Sequence, residues 1–296
     1  MPDIIKPKIK KIYLLPNIIT AFGLSCGLFV IFKMCMTGVG EVNEKILNSV
    51  TGILLLAALA DLLDGAIARV IKAESEFGGL FDSLADAISF GVAPSVIVLK
   101  SLSAHPGSQL SFFATMAAMI YTLCGVLRLV RFSVSAHAEK DDAELAKANK
   151  KHFTGLPIPA AAAAIMSLTL FLFSDEFAFL ADLSLKTKAW LLIGALLIIG
   201  YCMISRWKFP SVKSLNMRVA SFRLVCMIVI SAVFIFYGIL SYFSIIFLIL
   251  SWGYVLIAWS LAVLRVIAGR RTRVFEEFEP EPDDLDFDFD EDSKER

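Results

Sequence analysis

Charged residues are scarce in this chain of 296 residues: Asp, Glu, Lys and Arg together make up 19% of it, against 57% hydrophobic residues. With a mean hydropathy of +0.74, this balance excludes an ordinary soluble domain. Histidine and cysteine are also rare, with three and five residues. The cysteines show no CxxC pair, so a cysteine-based metal site is not expected. The absence of a visible internal repeat favours a single membrane domain over a repeat architecture.

The sequence instead has long apolar runs, and a helix needs about 20 such residues to cross a bilayer. Runs of suitable length predict eight membrane-spanning helices, at 12–36, 47–71, 80–101, 110–132, 157–174, 188–205, 222–240 and 243–268. We therefore expect an all-α integral membrane protein, a polytopic bundle of about eight transmembrane helices.

The distribution of basic residues predicts the orientation of the chain, because Lys and Arg beside membrane spans are retained in the cytoplasm. They concentrate in the N-terminal segment, in the 133–152 and 206–221 loops and just after the last run, whereas the alternate loops hold only Lys45 and Lys186. Both termini are therefore expected in the cytoplasm. The N-terminal lysines could lie along an interfacial segment that faces anionic lipid, or act only as an orientation signal.

The zero formal net charge conceals an acidic end, since residues 276–296 carry twelve acidic and two basic side chains. Such a segment cannot bury a core and is typical of a disordered tail. It could dock through its phenylalanines on a basic partner or simply be solvated. We predict three parts: a basic juxtamembrane segment at 1–13, a membrane domain at 14–272 and an acidic disordered tail at 273–296.

Four aspartates lie in and between two of the apolar runs, in the stretch DLLDGAIARVIKAESEFGGLFDSLAD at 61–86. Asp61 and Asp64 are three residues apart and Asp82 and Asp86 are four apart, so each pair shares one face of a helix. The stretch KAESEFGG between them predicts a short polar turn. An antiparallel helix pair would then bring all four carboxylates together near its cytoplasmic end.

Clustered carboxylates at membrane depth need a neutralising partner, since an isolated charge there costs several kcal/mol. Oxygen ligands without nearby Cys or His suit Mg²⁺ or Mn²⁺, and four carboxylates could bridge two ions. Gly65 and Ala68 leave the neighbouring helix surface low enough for a base or a diphosphate. Close packing between helices would also explain these small residues.

The aspartates and their neighbours also form a pattern that resembles the signature of the CDP-alcohol phosphatidyltransferases. The matching positions are Asp61, two residues, Asp64-Gly65, two residues, Ala68-Arg69, eight residues, Gly78, three residues, Asp82, three residues and Asp86. The resemblance implies a membrane enzyme that transfers a phosphatidyl group from CDP-diacylglycerol to an alcohol and releases CMP, with divalent metal beside the nucleotide.

The same resemblance implies a role for each matching residue. It assigns the metals to Asp61, Asp64, Asp82 and Asp86, and it makes Asp86 the group that takes the proton of the attacking hydroxyl. It places the nucleotide and its phosphates against Gly65, Ala68, Arg69, Ser75 and Gly78. The stretch LPNIITAFGLSCGLF at 15–29 resembles the first-helix motif of the family, in which Asn17 and Thr20 would face the nucleotide. Without the rest of the pattern, they would be an N-terminal cap and a Thr bonded to its own backbone.

Two further stretches, LRLVRF at 127–132 and HFTGLPIPAAAA at 152–163, resemble the phosphatidylserine synthases of this superfamily. L-Serine carries a carboxylate, which favours an Arg near the metals. Arg128 or Arg131 could supply it, could hold a lipid phosphate, or could act only as a positive-inside anchor. A choline acceptor would instead need an aromatic cage, and none is evident near the aspartates.

We therefore expect the transfer of phosphatidyl from CDP-diacylglycerol to L-serine, giving phosphatidylserine and CMP. The alternatives are another acceptor, such as glycerol phosphate, inositol phosphate or choline, or, from another class, a cation transporter whose acids would be spread along a pathway. The resemblance implies a multi-pass protein of the inner membrane of a bacterium, with its active site at the cytoplasmic side. Membrane lipid and a second copy of the chain are the expected partners, and nucleic acid is not.

Overall fold

The computed structural model describes residues 14–38, 40–70, 75–102, 107–141, 153–180, 183–205, 208–209 and 243–272. Over this part of the chain nearly all regular structure is helical, apart from the short antiparallel pair of β1 (Phe153–Thr154) and β2 (Lys208–Phe209). Six of the described helices are long and apolar enough to cross a membrane. The prediction of a polytopic helical membrane protein is confirmed.

The first half of the chain forms the layer that carries the aspartates. Helix α1 (Leu14–Met36) packs along α2 (Glu44–Val70). Helix α3 (Glu76–Asp86) runs through a π segment (Ala87–Val92) into α4 (Ala93–Leu102), so that these three elements form one continuous span. The chain returns as α5 (Gln109–Asp141), and the α3–α4 span lies between α1 and α5.

The second half supports that layer. Helix α6 (Ile158–Leu172) leads to the short α7 (Asp175–Leu180), followed by α8 (Leu185–Ile204) and α9 (Phe243–Thr272). Helix α8 packs along α5, and α9 packs against α6. Ten of the fifteen residues of α6 are buried, and its alanine-rich start lets neighbouring helices approach closely. At about 1.5 Å per residue, α6 is shorter than the bilayer core, which fits a helix enclosed by others.

Helix positions agree with the hydropathy pattern, but several boundaries differ. Helix α3 begins at Glu76 rather than near 80, because Ser75 caps it and its hydroxyl accepts a hydrogen bond from Gly78 N at 3.0 Å. The residues EFGG are therefore its first turn, and the predicted polar turn is shorter than expected. Helix α5 continues to Asp141 instead of 132, because its polar end still contains good helix formers such as Ala, Glu and Lys.

The remaining expectations on organisation fall outside the described residues. These are the predicted span at 222–240, the basic segment at 1–13 and the whole acidic tail at 273–296. The count of eight membrane helices, the cytoplasmic placement of the termini and the division into three parts therefore stay predictions.

Candidate active site

Three aspartates meet where the last turns of α2 approach α3. Each of Asp61, Asp64 and Asp82 offers a carboxylate oxygen, and these oxygens lie within 4.8 Å of one another. The spacing of three residues puts the first two on one face of α2, and α3 brings the third across from it. Asp64 is the most deeply buried of the three, with 4% of its surface exposed.

Helix α1 holds one of these carboxylates directly. The Thr20 hydroxyl lies 2.5 Å from Asp64 Oδ2, and both residues are buried. The same hydroxyl is 3.1 Å from the Pro16 carbonyl of its own helix. Its contact with the aspartate is therefore the shorter of the two. Thr20 therefore lies at the aspartates and also keeps the backbone contact that its local sequence predicts. Its expected contact with the nucleotide stays a prediction.

The fourth aspartate belongs to the same cavity but stands apart from the close group. A small cavity is bounded by α1, α2, α3 and the π segment, and all four aspartates line it. Asp86 is the last residue of α3 and is half-buried. The close group within 4.8 Å contains the other three. Asp86 therefore shares the cavity with them but not their close group.

The start of α3 lies close to α1 at the rim of the site. A β-carbon at Gly78 would come within 3.0 Å of Ser75 Oγ and 3.1 Å of Asn17 Oδ1, which is tight enough to explain the glycine. Asn17 lies in the first turn of α1 and is half-buried, and Ser75 is exposed. These three predicted residues therefore lie together, although the hydroxyl of Ser75 also serves as the helix cap.

The surface of α2 beside the aspartates is open. Gly65 is exposed, and no described atom lies within 4 Å of the position that a β-carbon would occupy there. Close packing between helices, the alternative explanation of the small residues, therefore does not account for Gly65 among the described residues. Ala68 follows one turn later and is partly exposed. Arg69 is on the same helix, but its side chain lies outside what the structure describes.

The two candidate arginines of α5 have different surroundings. Arg128 is partly buried and lies within electrostatic range of Asp86 and of Tyr254 on α9. Its buried Nε has no hydrogen-bond partner among the described residues. Arg131 is exposed and does not line the cavity around the aspartates. The structure thus brings Arg128, and not Arg131, toward the carboxylates.

Sequence reasoning missed the cavity residues that follow Asp86. Ser89 and Phe90, both in the π segment, line the cavity and are buried. Ser89 could have been found, because 82, 86 and 89 repeat at the four- and three-residue spacing of one helix face. Tyr254 gave no such signal, since it comes from the last described helix and approaches Arg128 only through the packing of α9.

The donor set fits a divalent cation. Carboxylate oxygens from three residues converge in a largely buried place, where their mutual repulsion requires neutralisation. The guanidinium of Arg128 lies within electrostatic range of Asp86, and one such cation cannot offset four carboxylates. Hard oxygen ligands without Cys or His are those that Mg²⁺ and Mn²⁺ prefer.

Residues 13–207 match the CDP-alcohol phosphatidyltransferase family. This range holds α1 to α8 and the whole cavity, and it ends before α9. The match covers about two thirds of the chain, and it includes every site residue proposed from the sequence.

Three similar proteins are named as serine phosphatidyltransferases or as an archaetidylserine synthase. The chain is 29% identical over 227 residues to a CDP-diacylglycerol–serine O-phosphatidyltransferase of Helicobacter pylori, an alignment that covers 77% of this chain and 84% of that protein. A protein of the same name from Mycobacterium leprae is 34% identical over 156 residues, or 52% of this chain and 46% of that one. An archaetidylserine synthase of Methanothermobacter thermautotrophicus is 30% identical over 215 residues, covering 72% and 76%.

Proposed function

Because the chain belongs to the CDP-alcohol phosphatidyltransferase family, we propose that it transfers the phosphatidyl group of CDP-diacylglycerol to the hydroxyl of L-serine, producing phosphatidylserine and CMP. The observation that carries this proposal is the convergence of aspartates from α2 and α3 in one cavity. The choice of serine is supported by the relatives, whose names specify serine or archaetidylserine chemistry.

In the proposed site, Asp61, Asp64, Asp82 and Asp86 hold Mg²⁺ or Mn²⁺, with two ions as the expected number. Divalent ions held there would offset the charge of the diphosphate and of the departing CMP. Thr20 orients Asp64 through its hydroxyl, which is the part that outer-shell hydrogen bonds play for metal-binding carboxylates.

The nucleotide is proposed to lie on the open surface of α2. Gly65 and Ala68 leave room for a flat base or a diphosphate close to the backbone, as the free space at Gly65 supports. Asn17, Ser75 and Gly78 form the adjoining rim, where polar groups can meet the nucleotide. Arg69, which follows on the same helix, is proposed to contact its phosphates through a forked guanidinium.

Asp86 is the proposed general base. In the reaction the serine oxygen forms a bond to phosphorus, the bond between phosphorus and the CMP oxygen breaks, and the hydroxyl proton passes to a carboxylate. A base must come within about 3 Å of that hydroxyl. Asp86 suits this step because it lines the cavity but stands outside the close group of three aspartates.

Arg128 is the proposed partner for the carboxylate of serine or for a lipid phosphate. Its position near Asp86 would bring the bound amino acid close to the base. Its unpartnered, buried Nε is a donor that an anionic ligand would satisfy. Arg131, which was expected as an equal candidate, is exposed and has less support.

The remaining proposals concern the setting of the site. A chain with several membrane-spanning helices lets the lipid substrate enter from the bilayer while serine arrives from water. We propose the inner membrane of a bacterium, with the site at the cytoplasmic side, and a homodimer as the assembly. A cation transporter has less support, because the four aspartates gather in one cavity instead of following a pathway.

An acceptor panel tests the function. The purified full-length protein is incubated with CDP-diacylglycerol and Mn²⁺ or Mg²⁺, and with labelled L-serine, glycerol phosphate, inositol phosphate or choline in separate reactions. We expect metal-dependent CMP release and labelled lipid with serine, and loss of both with EDTA. Labelled lipid from another alcohol in place of serine would contradict the proposed acceptor, and turnover unaffected by EDTA would contradict the metal site.

A further inference from the structure

The proposed chemistry does not explain the π segment that follows Asp86 in the cavity wall. A π turn contains one residue more than an α-helical turn, and such turns often occur at functional sites. Here the wide register is seen directly, because the Ala93 N–H bonds to the Ile88 carbonyl, five residues back. Since one residue corresponds to about 100° around an α-helix, the extra residue decides which way Asp86 faces relative to α4.

The sequence contains a cause for this register. Pro94 has no N–H, so the Phe90 carbonyl, four residues earlier, loses its α-helical donor, and the proline ring also crowds that carbonyl. Phe90 is buried, with 3% of its surface exposed. A buried carbonyl without a partner would cost about 1–3 kcal/mol, so another donor is needed there.

Tyr121 of α5 supplies that donor. Its hydroxyl donates to the Phe90 carbonyl oxygen at 3.0 Å, and the side chain is fully buried. Phe90 O is the one acceptor found for this hydroxyl among the described residues. The next carbonyl, that of Gly91, is 3.1 Å from Ser95 Oγ and 3.2 Å from Thr122 Oγ1. Hydroxyl groups of α5 and α4 thus bond two successive carbonyls of the π segment.

The opposite side of the π segment is held by α1. A β-carbon at Gly27 would lie 2.8 Å from the Ser89 Cα, so the two elements pack backbone against backbone. The segment therefore has little room to shift between α1 and α5. On α5, Arg128 lies two turns after Tyr121 and within electrostatic range of Asp86, so the contact at Tyr121 also sets the register between the arginine and the carboxylate.

We infer that Tyr121 is a positioning residue for the transfer reaction: its hydroxyl holds the π segment in the register that turns Asp86 into the aspartate cavity. This inference rests on the proposed function, because it assigns to Asp86 a position that matters for catalysis. It adds a residue that does not line the cavity.

The variant Tyr121→Phe tests the inference, because it keeps the buried ring and removes only the hydroxyl. We expect kcat to fall at least tenfold, while KM for CDP-diacylglycerol, which is proposed to bind on α2, changes less than threefold. Thr169→Val is the matched control: Thr169 is fully buried and its hydroxyl bonds to the Ile165 carbonyl at 2.8 Å, in α6 and away from the cavity. It should keep the wild-type kcat.

The double variant Tyr121→Phe with Pro94→Ala separates positioning from plain stability. Residue 94 then has an N–H for the Phe90 carbonyl, so the thermal stability lost in Tyr121→Phe should return, while the helix adopts the α register and kcat stays low. Recovery of both stability and kcat would overturn the inference, as would a Tyr121→Phe enzyme with wild-type kcat.

A readout that does not depend on turnover completes the experiment. Amide hydrogen exchange of a peptide covering 86–96 should be faster in Tyr121→Phe than in the wild type or in Thr169→Val, and unchanged exchange would overturn the inference. The acceptor panel is run first on the wild type. Absence of serine transfer there contradicts the proposed function alone, and the kinetic comparison is then made with the alcohol that the wild type accepts.

Discussion

The contact between Thr20 and Asp64 allows a sharp prediction about the metal site. Thr20→Val keeps nearly the same shape but removes the hydroxyl that lies 2.5 Å from Asp64 Oδ2. Both side chains are buried, with 6% and 4% of their surfaces exposed, so water cannot readily replace the lost donor. We expect the variant to fold normally and to bind metal and turn over substrate poorly.

The size of the effect follows from the geometry of this contact. A hydrogen bond to a charged group contributes about 1.5–3 kcal/mol, and each 1.4 kcal/mol corresponds to about a tenfold change in an equilibrium or rate constant. The expected loss in kcat/KM is therefore about ten- to a hundredfold. Loss of an outer-shell bond to a metal ligand independently leads to a similar range, about 10–100-fold.

The assay compares three proteins side by side at several Mn²⁺ concentrations, with labelled serine incorporation and thermal unfolding as readouts. Thr20→Ser keeps the hydroxyl and should retain activity within about threefold, since a serine oxygen can reach the same carboxylate. In Thr20→Val, the metal-induced rise in unfolding temperature should shrink. Wild-type activity together with a wild-type metal response in Thr20→Val would refute the orienting role of this bond.

Three other changes test the remaining parts of the site. Asp86→Asn should reduce CMP release at least a thousandfold, within the range of general-base catalysis and charge loss. Metal-induced stabilisation should persist through the other aspartates. Retained turnover would exclude Asp86 as the base. Gly65→Leu should raise KM for CDP-diacylglycerol with no loss of thermal stability. No described atom lies within 4 Å of the position of its β-carbon, and Leu favours a helix by about 1 kcal/mol over Gly. An unchanged KM would contradict a nucleotide on this surface. Arg128→Gln should raise KM for serine about tenfold or more, as expected for a lost charged hydrogen bond, while Arg131→Gln stays near the wild type. Equal changes in KM for serine in the two arginine variants would contradict the assignment of serine binding to the partly buried Arg128 and not to the exposed Arg131.

Hydropathy predicted the fold class, and residue spacing predicted that the four aspartates would lie together. Seven of the eight apolar runs coincide with described helices, and the eighth lies outside the described residues. The four aspartates share one cavity, as their spacing of three and four residues indicated. These features depend on side-chain periodicity within single helices, so the local sequence contains the information.

Helix ends were predicted less accurately. Hydropathy marks where the membrane ends, while a helix continues as long as its residues favour it, which explains the extra length of α5 beyond 132. The cap at Ser75 also moved the start of α3 to Glu76. Ser75 could have indicated this start, because serine is a preferred N-cap residue. The two glycines of the first turn instead favoured a turn prediction.

The sequence by itself determined that this protein is a membrane-embedded helical bundle with an acidic site, because apolar length and the three- and four-residue spacing are local properties of the chain. Only the tertiary structure decided which carboxylates form the close group, which arginine lies within electrostatic range of Asp86 and which side chains bond the π segment. These relations join residues such as Thr20 and Asp64, which lie 44 positions apart. Their physical cause is the packing of helices against one another, which no periodicity within a single helix encodes.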